Sequence, residues 1–221
     1  MRRGRFFVSL APSDDRKAAV WDPYSYAQNG MGRALGDLAS IQTLSRKGSR
    51  QAASQFEPLE YRHLPSGDYL SFSLLASSGE QRSMAYVGEG QLLLGTMRAY
   101  LGNVLVTPNA EWIGVPAPAS FPVKAEFVCI RPHDGLVYYW WAYLRSRDFI
   151  QHLPPGSGGT RPRLHVKDLA GVRVTVPPPE TREAIDASLR ECARAEWELL
   201  GRKQSALTML ASVLADLGED T

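Results

Sequence analysis

The chain has 221 residues, 44% of them hydrophobic and 22% charged, a composition that excludes a disordered polymer and leaves room for one folded domain plus an appendage. Its formal net charge of +2 neither demands nor excludes a polyanionic partner, so local clusters have to decide. The two cysteines, Cys129 and Cys192, lie far apart and outside any CxxC, which argues against a disulfide framework or a zinc site. Both read as small buried apolar residues.

The opening MRRGRFFVSLA has the basic-then-apolar order of a signal peptide. Its apolar part is short and runs straight into Asp14 and Asp15, so a cytoplasmic setting is expected. No run approaches the roughly 18 apolar residues of a membrane span. Residues 1–31 mix Arg, Asp, Tyr and Gly without a period, and two readings stay open: a loosely packed arm, or a segment folded onto the body. From Gly32 the stretch GRALGDLASIQTLSRKGSR predicts one or two helical turns, with Leu35, Leu38 and Ile41 on one apolar face. A basic loop carrying Arg46, Lys47 and Arg50 comes after them. Short β-rich runs come next, YLSFSLLA, SMAYVGEGQLLLGTM, GNVLVT and AEFVCIRP, broken by Gly, Pro and Asn. GLVYYWWAYLRSRDFIQHL is too long for an ordinary strand and predicts a helix ending near Leu153, before Pro154 and Pro155.

After VRVTVPPP the character changes. From about Glu180 to Leu217 there is no Pro, and apart from Gly201 the residues are mostly good helix formers. At about 1.5 Å per residue this helix would span on the order of 55 Å, too long to lie wholly on its own core. Ile185, Leu189, Cys192, Leu199, Ala206, Leu210, Val213 and Leu217 follow a 4-3 spacing interrupted by Glu196 and Lys203. Leu200, Leu207 and Leu214 form a neighbouring line. Such a pattern predicts a coiled-coil seam for self-association, with Ile185, Leu189, Leu200, Leu207, Leu210, Leu214 and Leu217 as its dimerising residues; packing back on its own domain is the alternative. The expected fold class is α+β: an irregular β-rich body over residues 32–178, then one long helix over 179–221.

Catalytic chemistry finds little support. GSGGT at 156–160 lacks the Lys-Ser or Lys-Thr of a phosphate-binding loop, and there is no GxGxxG. His63, His133, His152 and His165 show no HExxH or i,i+4 pairing, so no metal site is expected. No GxSxG or SxxK frames a serine nucleophile. DPY at residues 22–24 has too few residues upstream for the cofactor loop of an amino-methyltransferase.

The informative segment is GSGGTRPRLHVKDLAGVRVTVPPPETREAI, which gathers Arg161, Arg163, His165 and Lys167 within seven residues. Preceding glycines let the backbone approach a partner, Thr160 adds a hydroxyl, and Pro162 stiffens the run. These features suit phosphate contact; a plain solvated basic turn is the alternative. Beyond the cluster lie a short LxVKDL turn, a VRVTVP strand, a proline break and a long helix. That order resembles the end of a target-recognition domain in the specificity subunits of type I restriction-modification systems. LGDLASIQ resembles the family's opening helix, and YVGEGQLLLGTMRAYLGNVLV its central strand-turn-strand unit, so the resemblance covers about residues 33–217. Where the family commonly has Gln shortly after the Pro-Pro pair, this chain has Arg182.

The resemblance implies a non-catalytic subunit that reads double-stranded DNA and docks a DNA methyltransferase (modification) subunit. That partner supplies the S-adenosylmethionine chemistry, so no cofactor is expected on this chain. In some systems a restriction/translocase subunit joins. Family members usually carry two recognition domains joined by two antiparallel helices, so one domain and one helix look like a half-subunit. A homodimer through residues 180–217 would read a divided palindrome. Phosphate contacts are expected from Lys47, Arg50, Thr160, Arg161, Arg163, His165 and Lys167. Base reading is expected from Arg98, Tyr100 and Asn103 on the turn after LLLGTM; core packing for Tyr100 and turn formation for Asn103 stay open. The cluster Tyr138, Tyr139, Trp140, Trp141 and Tyr143 reads as core filling rather than base stacking. Two further readings compete: a structural or inhibitory dimer of the same fold that binds a protein instead of DNA, and a small nuclease or methyltransferase with cryptic motifs.

Overall fold

The computed structural model describes residues 32–44, 56–64, 67, 69–74, 84–124 and 126–219. The arm at 1–31 and the loop residues Arg46, Lys47 and Arg50 lie outside them, as does the strand expected at Leu75 and Ala76.

Three apolar triplets build the centre. Strands β4 (Leu92–Gly95), β5 (Val104–Val106) and β7 (Phe127–Pro132) belong to a four-stranded antiparallel sheet with β2 (Ala39–Thr43), in the order β2-β7-β4-β5. Successive side chains of a strand point to opposite faces, so a continuous apolar run needs apolar cover on both. Leu92, Leu94, Val104, Val106, Val128 and Ile130 enter one core, while Leu93, Leu105, Phe127 and Cys129 enter a second. Register is fixed by Leu93 opposite both Leu105 and Cys129. Slipping any of these strands by one residue would exchange the two sets, whose side chains differ in size.

The first core is closed by α3 (Val137–Arg145) and α4 (Arg147–Gln151), together with α1 (Leu35–Leu38) and α5 (Val166–Ala170). Tyr138, Tyr139, Trp140 and Trp141 are all buried there, and Tyr143 packs against them. The aromatic run therefore fills core, as expected. Burial raises the Tyr143 phenol to about 12. The second core takes in α2 (Ala110–Ile113) and the pair β3 (Ala85–Val87) and β6 (Phe121–Val123). A third pair, β1 (Arg33–Ala34) with β8 (Arg173–Val174), ties the start of the described chain to the segment before the last helix.

That last helix, α6 (Pro179–Glu219), has 41 residues and at about 1.5 Å each is about 60 Å long. Its first half is joined to the body by polar side chains as well as apolar ones. Arg182 pairs with Asp134, and its Nε donates to the Pro177 carbonyl at 3.1 Å. Arg182 thus serves the helix's own junction. Asp186, 3% exposed, accepts from the backbone N–H groups of Tyr138 and Tyr139 at 2.7 and 3.1 Å. Glu196 accepts from the backbone N–H groups of Leu70 and Ser71 at 2.8 and 2.9 Å, and from the Ser71 hydroxyl. Ala193 enters the first core and Trp197 the second, where the Phe72 ring meets Trp197 edge-on.

Several expectations are corrected. Leu35, Leu38 and Ile41 do not share a helix: the chain leaves α1 at Ala39 and pairs with β7, Ile41 lying opposite Ile130. YLSFS is not a strand, because the N–H groups of Leu70 and Ser71 are spent on Glu196. The single aromatic helix is two, interrupted at Ser146, whose extended backbone and side chain cap α4 through the Phe149 N–H. Cys129 is buried, but Cys192 is exposed on α6. Ile185 and Leu189 pack against the first core and Leu200 against the second, so these three serve the body rather than an outward seam. From Arg202 to Ala215 every side chain of α6 is exposed, including Leu207, Leu210 and Leu214 at 50%, 53% and 59%. Leu217 lies in the helix; its side chain is outside the described set. Among the described residues no helix is long and apolar enough to cross a membrane.

Candidate nucleic-acid interface

The site forms at the end of the central sheet where β4 finishes and β7 begins. Beyond Gly95 the chain is held down by three hydrogen bonds: Thr96 donates to the Glu126 carbonyl from its N–H at 2.8 Å and from its hydroxyl at 2.9 Å, and the Met97 N–H donates to the Tyr61 hydroxyl at 3.1 Å. Tyr61, in a 3-10 turn over Tyr61–His63, itself donates to the Glu126 carbonyl at 3.0 Å. One phenol thereby links three stretches distant in sequence. Burial pushes that phenol up to about 12, so it stays protonated and able to donate throughout the neutral range.

Tyr61 can lie there only because residue 95 is glycine. A Cβ at Gly95 would sit 2.3 Å from the Tyr61 Cε1 and 2.9 Å from its hydroxyl. Gly95→Ala is expected to push the ring away and break its two hydrogen bonds, costing about 2–4 kcal/mol. Urea unfolding should show a lower midpoint at unchanged slope. Combined with Tyr61→Ala the cost should fall well short of the sum of the two, since the clash is removed.

The glycine-rich loop docks on this platform. Leu164 N–H donates to the Thr96 carbonyl at 3.0 Å and Arg98 N–H to the Pro162 carbonyl at 2.9 Å, on either side of an antiparallel bridge between Met97 and Arg163. The loop closes on itself through Ser157 and Arg163, which exchange N–H···O bonds of 2.9 and 2.8 Å. A Cβ at Gly156 would meet Pro162 and the Arg163 nitrogen at 3.0 Å, so any larger residue there would press on the closed loop. The Ser157 hydroxyl lies 2.8 Å from the His165 Nε2, which assigns His165 to holding the loop.

Arg98 stands where the two segments meet. Its φ of 51° is left-handed, a conformation uncommon for a non-glycine residue and one that costs on the order of 1 kcal/mol. Its guanidinium donates to the Thr160 carbonyl at 3.4 Å. The sequence-predicted cations are thus brought together: Arg98 and Arg161 line one cleft of about 360 Å³ with Glu60, Tyr61, Arg62, Met97, Lys124 and Glu126. Arg163 is exposed on the adjoining loop, and Thr160 and Lys167 are also exposed. Tyr100 is 55% exposed on the turn Ala99–Leu101, which excludes core packing for it. Asn103 is half-buried, and its carbonyl accepts from Gly95 N–H at 2.8 Å, so its backbone continues the β4–β5 pairing. Lys47 and Arg50 lie outside the described residues.

Sequence reasoning missed Glu60, Tyr61, Arg62, Lys124 and Glu126. They arrive by a parallel bridge between Leu59 and Val123, which joins two segments that carry no motif. Lys124 lies 2.7 Å from Glu60 and holds its carboxyl below the usual carboxylate range, with Arg62 adding to the effect. Arg62 is paired with Glu57 at 2.9 Å. Burial lowers the pKa of His63, and Arg62 beside it adds to that.

No family model matches the chain, and no curated protein does. Among solved structures it is similar to a chain from work on the complex assembly and conformational transition of the type I R-M system, at 17% identity and a TM-score of 0.45, over 90% of this chain and 51% of that one. It is also similar to the HsdS subunit from Thermoanaerobacter tengcongensis, at 19% identity and a TM-score of 0.43, over 91% of this chain and 51% of that one. The chain therefore spans about half the length of the solved chains it matches.

Proposed function

We propose that this chain is a DNA-recognition module of a type I restriction-modification specificity subunit. It reads one half of a duplex site and positions a separately encoded methyltransferase. The observation that carries the reading is the docking of the glycine-rich loop on the turn after β4. This puts Arg98, Arg161 and Arg163 on one surface. Arg161 has no hydrogen-bond or ion-pair partner among the described residues. Exposed guanidinium groups held on a rigid backbone suit phosphate and base-edge contact, because little conformational entropy is left to lose on binding. The motif order of residues 156–182 points the same way. S-adenosylmethionine belongs to the methyltransferase in this reading, and this chain contributes the address.

The outer part of α6 supplies the second element. Leu207, Leu210, Val213 and Leu214 are about half exposed, with no cover from the body. A second copy pairing along this stretch would bury them and place two reading surfaces a fixed distance apart.

Selection of bound sites from a randomised duplex library by the purified chain, at moderate salt, tests both elements. The native protein is expected to enrich a divided palindrome. A variant with Leu207, Leu210 and Leu214 all changed to Asp should sediment as a monomer and enrich a single undivided half-site. A native protein that enriches only the half-site would refute the homodimer. One that enriches nothing, alone or with an adenine methyltransferase, would refute DNA reading and favour a protein-binding role.

A further inference from the structure

The cleft between the 3-10 turn at Tyr61 and the basic loop is of mixed charge. A simple phosphate cradle would gather cations and exclude carboxylates, since a carboxylate at contact distance repels a phosphate. Here two carboxylates line the cleft along with four cations: Glu60 and Glu126 with Arg62, Arg98, Lys124 and Arg161. Most of these charges are already engaged. Glu60 holds Lys124 at 2.7 Å, Arg62 is held by Glu57 at 2.9 Å, and Arg98 reaches the Thr160 carbonyl at 3.4 Å.

Two charged side chains are left over, one of each sign. Arg161 and Glu126 both line the cleft, yet neither has a side-chain hydrogen bond or ion pair among the described residues, and they are not paired with each other. The Glu126 backbone is fixed all the same: its carbonyl accepts from the Tyr61 hydroxyl, the Thr96 N–H and the Thr96 hydroxyl, at 3.0, 2.8 and 2.9 Å. A pre-positioned acceptor and a donor fork therefore share one open concavity.

The partner that presents matching groups side by side is the major-groove edge of a G·C pair, with guanine N7 and O6 as acceptors and the cytosine N4 amine as donor. An A·T pair offers only one such acceptor on its purine, and its amine lies on that purine too. We propose that this cleft reads a G·C base pair, Glu126 accepting from the cytosine amine while Arg161 donates to guanine. The assignment rests on the DNA-reading function proposed above and goes beyond it in naming the base pair and the acidic reader. Glu126 joins Arg161 as a specificity residue; Lys124 and Arg62 are neutralised by Glu60 and Glu57, which keeps the cleft from capturing phosphate in place of a base.

Library selection with the full-length Glu126→Ala chain tests this. The variant keeps every backbone contact of residue 126, so its melting temperature should match that of the native protein. The native protein is expected to enrich a site in which one position demands cytosine. In the variant the preference for cytosine at that position alone should fall about tenfold, with affinity for unrelated duplex equal or slightly higher because a negative charge has gone. An unchanged preference at every position would overturn the assignment. So would a uniform loss across all positions, or a lowered melting temperature with no change at any single base. If the native protein selects no site, the DNA-reading function itself fails, and the base assignment with it.

Discussion

Reversing the charge of Arg161 and Arg163 together, as Arg161→Glu and Arg163→Glu, is expected to abolish specific duplex binding at physiological salt. Charge-assisted hydrogen bonds are worth about 1.5–3 kcal/mol each. Losing two therefore corresponds to at least about a hundredfold in affinity, before the added repulsion is counted. The fold should survive. Both side chains are exposed, and the loop is closed by the backbone of Arg163 with Ser157 and by Leu164 N–H on the Thr96 carbonyl, bonds that glutamate retains. The log–log salt dependence of binding should flatten by roughly 0.9 for each DNA phosphate that is no longer neutralised. Arg131→Glu is the matched control: it lies on β7 at the end away from Phe127, where the site is. Its binding should stay within about twofold of native, the usual range for a charge outside the contact surface. Equal loss in both variants would mean that general charge, rather than this loop, governs association.

What could be read from the sequence, and what could not, divides along the range of the interactions. LLL, VLV and FVCI announced strands because a run buried on both faces must be apolar throughout, and the two cores make that so. The long helix was legible from its lack of proline after Pro179 and its composition. The basic loop was legible because its cations are neighbours in sequence. Its partnership with Arg98 was not, since that depends on a bridge between Met97 and Arg163. Ile41 shows the same limit: its spacing from Leu38 suits a helix, but five consecutive pairings of β2 with β7 outweigh local preference. Ser146 did carry a usable signal, a capping residue with Asp148 in the first turn beyond it, masked by the apolar residues on either side. Phe121–Val123 escaped notice because a proline sits in its middle and the strand is only three residues long.

The helix shows most clearly why a heptad pattern underdetermines a partner. Its 4-3 line and its line of Leu200, Leu207 and Leu214 stand roughly a quarter-turn apart at about 100° per residue. The body takes the flank containing Asp186, Ala193 and Trp197, and Ile185 and Leu189 at the border are drawn into that packing. Cys192 and Leu199, further round, remain exposed. Periodicity therefore identifies an apolar face without saying where the body ends. That boundary falls near Gly201, where an added Cβ would meet nothing within 4 Å.

The largest effect on stability is expected from Asp186→Ala. The first turn of α3 presents the N–H groups of Tyr138 and Tyr139, which Leu136, the residue before the helix, has no side-chain acceptor to cap. Asp186 does so from another helix, its Oδ1 accepting from both Tyr138 and Tyr139 while its Oδ2 holds Arg190 at 3.1 Å. A carboxylate at a helix N-terminus also gains from the helix dipole. Alanine leaves two buried donors unsatisfied and Arg190 unpaired beside the Tyr138 ring, 5.9 Å from its centroid. The expected cost is about 3–5 kcal/mol, a large part of the roughly 5–15 kcal/mol typical of a domain. Asp186→Asn keeps an acceptor oxygen and should cost roughly 1–2 kcal/mol. Urea unfolding measures both, and hydrogen exchange at the Tyr138 and Tyr139 amides should quicken most in the alanine variant. If the alanine variant unfolds at the native midpoint, Asp186 is not the anchor of α6. The geometry also carries a consequence for function. Asp186 and Arg182 fix the junction from which the exposed outer half of α6 extends, so whatever that half meets is held at an angle set inside the body. If two copies pair through that half and read a divided site, as proposed, a loosened junction should let the pair accept several gap lengths in place of one.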